Sequence, residues 1–210
     1  MTKKPIVQII DDDLELVESF RLLLETMGWE VATYPDGPTF LATGDRTGPG
    51  CIVLDMRMPG MTGLEVQEIL TKEGCTLPII FLSAHGSISL AVQTVRHGAI
   101  DFLEKPVDPM AFVQKVSQAI SESVAKTMEA AQADNFRSKF ARLTPRERDV
   151  IEAVLRGAQN KVAARELGLE VSTIKMHRAN AFAKLGVHSQ GELIKLAYEN
   201  GVIDAQKNAS

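Results

Sequence analysis

Cysteine is nearly absent from this chain. Cys51 and Cys75 are the only two in 210 residues, and they have neither metal-ligand spacing nor the makings of a disulfide framework. That excludes a disulfide-stapled scaffold and a thiolate metal site, and it fits a reducing cytoplasm. No apolar run approaches the ~18 residues needed to span a bilayer. Lys3 and Lys4 precede a run too short for the apolar region of a secretory signal. The expectation is a cytoplasmic chain without a membrane partner. Residues 121–142 contain no proline or glycine.

What is present is enough apolar residue, 45%, to build cores, and a charge distribution that is uneven along the chain. Residues 1–124 carry 9 Lys and Arg against 17 Asp and Glu, a net of −8, whereas residues 125–210 carry 14 against 10, a net of +4. An acidic half joined to a basic half points to two domains with different partners.

In the first half, five short apolar runs stand out: Ile6–Ile10, Glu30–Tyr34, Cys51–Leu54, Pro78–Leu82 and Ile100–Leu103. They lack polar alternation, as parallel strands covered on both faces do. Between them, residues recur at helical spacing: Leu14, Val17, Phe20, Leu24 and Met27, then Leu64, Val66, Ile69 and Leu70, then Leu90, Val92 and Val95. Asp108 and Pro109 form a cap and a helix-starting proline before Phe112, Val113, Val116 and Ile120. The pattern predicts a doubly wound (βα)5 fold with a five-stranded parallel sheet.

In such sheets ligands bind outside the carboxyl ends of the strands. Asp11 and Asp12 follow the first strand, Asp55 ends the third, Ser83 follows the fourth and Lys105 follows the fifth. Carboxylates gathered there repel one another and call for a hard divalent cation, for which Mg²⁺ is the natural candidate. A lysine beside that cation implies an anion bound by both, hence a phosphoryl group. Asp55 between them could attack phosphorus as a carboxylate nucleophile. Asp13 fits a plain helix N-cap, and Phe102 fits plain core.

The stretches "IIDDD", "VLDMRMPGMTGLEV", "IIFLSAHG" and "GAIDFLEKPVD" resemble the receiver domain of two-component response regulators over residues 5–125. The resemblance implies a CheY-like (flavodoxin-like) domain with Asp55 as phospho-acceptor. It implies Mg²⁺ held by Asp12 and Asp55, by Asp11 through water and by the carbonyl of Arg57. Ser83 and Lys105 would bind the phosphoryl oxygens, and Ser83 and Phe102 would act as the switch, moving the 87–97 helix and the last strand.

In the second half, "LTPRERDVIEAVLRG" has Thr144, Pro145 and Glu147 placed as a capping box with proline at the first helical position. Three more helices are predicted in "NKVAARELGL", "VSTIKMHRANAFAKLG" and "SQGELIKLAYENG", with glycines as stops. A short helix, a tight turn and a longer helix make a helix-turn-helix, whose second helix enters the major groove. Ile174, Ala181 and Leu185 share the inward stripe, while Ser172, Lys175, Met176, Ala179 and Ala183 point away with Asn180 at the margin. Lys175, Met176 and Ala179 are placed to meet base edges. Arg178, Lys184 and Lys161 lie at the flanks, where they would touch phosphate or serve only as solvated helix charges. Thr173 completes the expected DNA-facing set.

These motifs resemble the LuxR/FixJ-type output domain over residues 140–203. Glu170 stands where that family usually has Ser, and Gln190-Gly191 replaces a basic residue often found before the last helix. His177 faces inward. The expected division is a receiver over 1–125, a helical or flexible linker over 126–141, and an all-α four-helix domain over 142–205. The implied function is a transcriptional regulator switched by phosphotransfer. Its partners would be a sensor histidine kinase, double-stranded promoter DNA, a second copy when phosphorylated, and RNA polymerase. A Mg²⁺-dependent phosphohydrolase is the competing enzyme class, opposed by the lack of a second acid two residues after Asp55. A repressor with a purely structural receiver is a third, opposed by the complete acid and lysine set.

Overall fold

The computed structural model describes residues 3–84 and 101–202. The chain divides into two compact units, residues 1–128 and 129–210. The first runs β1 (Ile6–Ile10), α1 (Leu14–Thr26), β2 (Glu30–Tyr34), α2 (Gly37–Thr43), β3 (Gly50–Asp55), α3 (Gly63–Lys72), β4 (Ile79–Ser83) and β5 (Asp101–Glu104). It then enters α4 (Pro109–Ala141), which carries residues of both units. The expected helix over 87–97, with Leu90, Val92 and Val95, lies outside the described residues, as does Ile100.

All five strands pair in parallel in the order β2-β1-β3-β4-β5. Because side chains alternate across a strand, each strand feeds two cores. Val7, Ile9, Val53, Ile80 and Leu82 face one side, against Val17, Phe20 and Leu24 of α1 and Phe112 and Val116 of α4. The Phe20 and Phe112 rings stack with centroids 4.1 Å apart. Ile10, Ile52, Leu54, Ile79 and Phe81 face the other side, against Phe40 of α2 and Val66 and Leu70 of α3. Covering both faces is the physical reason β1, β3 and β4 show no polar alternation, whereas the edge strands β2 and β5 keep exposed positions such as Glu30, Thr33 and Glu104.

The sequence signals missed α2. It has only seven residues and one large, fully buried side chain, Phe40, too few for a periodic pattern. Its signature is the cap: Asp36 accepts the Thr39 N–H at 2.7 Å, and proline stands in the first turn.

The second unit contains α5 (Pro145–Leu155), α6 (Asn160–Leu167), α7 (Val171–Leu185) and α8 (Gln190–Glu199). The Thr144–Glu147 capping box forms as expected. Gly168 and Gly186 end α6 and α7 in the left-handed conformation. Ile174, Ala181 and Leu185 are buried as the α7 stripe, Ala181 and Leu185 in a cluster with Ile151, Val154 and Leu193, and Ile174 in a second one with Val150 and Ala163. Residues 126–141, expected as a linker, are helical throughout, and Phe136 and Phe140 sit in the first of these clusters. Among the described residues no helix is long and apolar enough to cross a membrane.

Candidate functional site

The strand order reverses between β1 and β3, and the crevice at that point is where a doubly wound sheet takes ligands. Asp11 leaves β1 there and Asp55 ends β3. With Asp12 they offer carboxylate oxygens that all lie within 4.8 Å of one another. Asp11 and Asp55 are buried and Asp12 is exposed. Lys105 reaches in after β5, donating to Asp11 Oδ2 at 2.7 Å and pairing with Asp55 Oδ1 at 2.8 Å. Its backbone N–H is tied to the Ser83 carbonyl at 2.8 Å, so the end of β4 sets its position. The cavity these groups line, with Met56, Arg57 and Ser83, has a volume of about 140 Å³.

Local structure holds each group in place. Asp11 Oδ1 accepts the Asp13 N–H at 3.0 Å, which fixes the turn out of β1. Asp13 caps α1, accepting the Leu16 N–H at 3.1 Å, as expected. Asp55 Oδ2 accepts the Arg57 N–H at 2.7 Å. Behind it, Gly63 lets α3 start hard against β3: a Cβ at that position would stand 2.4 Å from the Asp55 carbonyl oxygen.

Burial pushes the Asp11 carboxyl above its ordinary value, outweighing the hydrogen bonds from Lys105 and the Asp13 N–H, and the Asp55 charge adds to the shift. Burial opposes the Lys105 charge too, but its bonds to two aspartates outweigh that and hold it above the usual ammonium range. Both directions follow from one geometry, in which one cation serves two crowded anions. At an effective dielectric near 20, two like charges at this spacing repel by about 3 kcal/mol or more. With the acids ionised, three carboxylates and one ammonium leave a local charge of −2. One divalent cation would cancel it, and the donors are the hard oxygens Mg²⁺ prefers. Phe102 is half-buried on β5, packed against the Phe81 side of the sheet.

In the second unit, Ser172, Lys175, Met176, Ala179, Asn180 and Ala183 are exposed on α7, and Thr173 and His177 are half-buried. Lys161 is exposed at the start of α6. Arg178 is half-buried, donating to Asn160 Oδ1 at 3.2 Å with its guanidinium 5.1 Å from the Phe182 ring centroid. Glu170 caps α7 without a side-chain hydrogen bond.

Residues 7–117 match the family described as response regulator receiver domain, and residues 141–197 match bacterial regulatory proteins, luxR family. The transcriptional regulatory protein FixJ of Bradyrhizobium diazoefficiens is 34% identical over 204 residues, 97% of this chain and 100% of that protein. The chain belongs to the two-component response regulators. The response regulator protein TodT of Pseudomonas putida is 34% identical over 191 residues, covering 91% of this chain and 84% of that one. The solved structure of response regulator StyR superposes with a TM-score of 0.84 at 39% identity, over 93% of this chain and 98% of that chain. This response regulator therefore joins a receiver to a DNA-binding helix-turn-helix and regulates transcription, and the enzyme class gives way to that assignment.

Two features of this response regulator escaped sequence reasoning. Lys184, expected at the flank of the DNA-facing set, donates to the buried Glu147 at 2.7 Å. Its charge is paired within the domain. Gln190, noted as the loss of a basic residue, donates its side-chain N–H to the Val154 carbonyl at 3.0 Å and ties the start of α8 to α5. Both partners lie more than 30 residues away in the chain, beyond any local pattern.

Proposed function

We propose that Asp55 is the phospho-acceptor through which a sensor histidine kinase controls this regulator. The observation that carries the reading is Lys105 bonded to both Asp11 and Asp55 in a cavity lined by Asp12 and Ser83. Mg²⁺ would be held by Asp12 and Asp55, by Asp11 through a water, and by the Arg57 carbonyl. Bound there, it neutralises the acids and stabilises negative charge on the phosphoryl oxygens. An Asp55 carboxylate oxygen attacks phosphorus, the bond from phosphorus to the kinase histidine breaks, and the imidazole leaves with its electron pair and takes up a proton. Lys105 turns from the carboxylate to a phosphoryl oxygen. The Ser83 hydroxyl bonds a second one and draws the end of β4 with it. Phe102 follows into the space released, changing the outer face near β5.

The consequence proposed is dimerisation and tighter binding to promoter DNA, with contact to RNA polymerase once bound. Each helix-turn-helix alone gives modest affinity, and two linked half-sites gain through effective concentration. Thr173, Lys175, Met176, Ala179 and Asn180 would face the bases, with Arg178 and Lys161 at phosphates. The test is DNA footprinting with Mg²⁺ and a small acyl-phosphate donor. The unmodified chain should protect DNA at lower concentration when the donor is added, and Asp55→Asn should not respond. An Asp55→Asn chain that responds fully would refute the assignment.

A further inference from the structure

Arg178 is unlike the two lysines that border the same concavity. Lys161 and Lys175 are exposed, whereas Arg178 is held at two points. Asn160, the first residue of α6, accepts from its Nη1 at 3.2 Å. The Phe182 ring, one turn further along α7, lies 5.1 Å from its guanidinium carbon. A guanidinium carries five N–H donors in a rigid planar fork, so one can engage Asn160 while others face an anion. The group borders a concavity of about 470 Å³ between the turn preceding α6 and the flank of α7. The ionisable side chains lining it are Lys161, Lys175 and Arg178, and no carboxylate lines it among the described residues.

We propose that Asn160 and Phe182 are positioning residues that preset the Arg178 guanidinium for one DNA backbone phosphate, in the concavity that Lys161 and Lys175 also border. This rests on the reading of α7 as the DNA-facing helix. The physical basis is conformational. A free arginine loses rotamer freedom when it docks on phosphate, at a cost that weakens binding. Here the fold has already restricted the side chain, through a neutral acceptor that leaves its full positive charge available. A carboxylate in place of Asn160 would hold the arginine equally well and cancel the charge the phosphate needs. The tie also links the two helices of the motif across 18 residues of chain, so an anchored phosphate fixes α6 and α7 together.

The experiment uses the full-length chain and a labelled mixed-sequence duplex of about 30 base pairs, titrated between about 50 and 200 mM salt. Backbone contacts do not depend on the base sequence. Arg178→Ala should weaken binding and lower the slope of log affinity against log salt by about 1 per bound chain. Asn160→Ala should weaken binding about two- to ten-fold and leave the slope unchanged, because the charge remains and only its order is lost. In the Arg178→Ala background, Asn160→Ala should cost nothing further. An equal cost in both backgrounds would show that Asn160 acts on DNA directly and would overturn the proposal, as would Asn160→Ala with unchanged affinity. A urea midpoint for Asn160→Ala equal to that of the parent chain separates positioning from loss of fold. Should that midpoint drop, Phe182→Leu and Phe182→Tyr decide: the proposal requires Leu to weaken binding and Tyr to restore it, and equal binding by the two ends it. Arg178→Ala with unaltered affinity and slope would instead overturn the DNA-facing reading of α7, an outcome distinct from failure at Asn160.

Discussion

Glu147 does two jobs with one carboxylate. It closes the capping box of α5 by accepting the Thr144 N–H at 2.8 Å, and it holds Lys184 at 2.7 Å. The Lys184 bond, followed by the Thr144 N–H, pulls its pKa down to about 2. A carboxyl with a depressed folded-state pKa binds fewer protons folded than unfolded over the intervening range, so folding is favoured more as pH rises through it. The stability it contributes is complete above its ordinary value near 4.5 and is lost as pH falls toward about 2. Glu147→Gln keeps the cap, since glutamine also serves at that position, and removes only the ion pair. That variant should lose roughly 1–3 kcal/mol at neutral pH and show a flatter decline between pH 4.5 and 2. Urea midpoints of both chains across that range check it, and parallel declines would refute it. The ion pair was not legible in the sequence. The capping box was visible as a local spacing, but the partner that makes Glu147 matter is set by how α5 and α7 pack.

Elements were legible where their period outlasted their boundaries. The strands announced themselves through continuous apolar runs, and topology then placed Asp11, Asp55, Ser83 and Lys105 at one edge without any knowledge of distances. The α7 faces followed from 100° per residue, and the exposed and buried positions fall as that angle requires. What remained hidden was short or tertiary: α2, whose cap outweighs its pattern, and the packing of Phe136 and Phe140 at the end of α4. The join between β3 and α3 shows how elements carry the site. Gly63 is the first residue of α3, where glycine in a helix ordinarily costs about 1 kcal/mol relative to alanine. Gly63→Ala should nevertheless destabilise, because its Cβ would meet the Asp55 carbonyl oxygen at 2.4 Å, and backbone cannot yield as a side chain can. A loss of about 1–3 kcal/mol is expected from such overpacking. The displacement should also slow phosphotransfer to Asp55, measured as formation of phosphoprotein from an acyl-phosphate donor. A Gly63→Ala chain as stable and as reactive as its parent would show that the close approach is dispensable.

Across the whole molecule, charge is partitioned along the chain: a net of −8 over residues 1–124 and +4 over residues 125–210. The basic part faces a polyanion. The acidic part gathers a local −2 into one cavity, where Lys105 cannot balance it alone. Unfolding scatters those carboxylates, so an ion that binds the folded site must stabilise the fold. At a concentration 100 times the dissociation constant the gain is about 2.7 kcal/mol, or roughly 5–15 °C in midpoint for a unit of this size. Asp12 is the proposed ligand to remove, because it is exposed and its loss opens no buried cavity. In chelator, Asp12→Asn should unfold at the parent's temperature or slightly above it, since one repulsive charge is gone. In Mg²⁺ the parent should gain several degrees and the variant almost none. Calorimetry of both chains, with sodium chloride matching the ionic strength, separates this from general screening. An equal shift in parent and variant would place the ion elsewhere, and no shift in the parent would remove the divalent cation from the site.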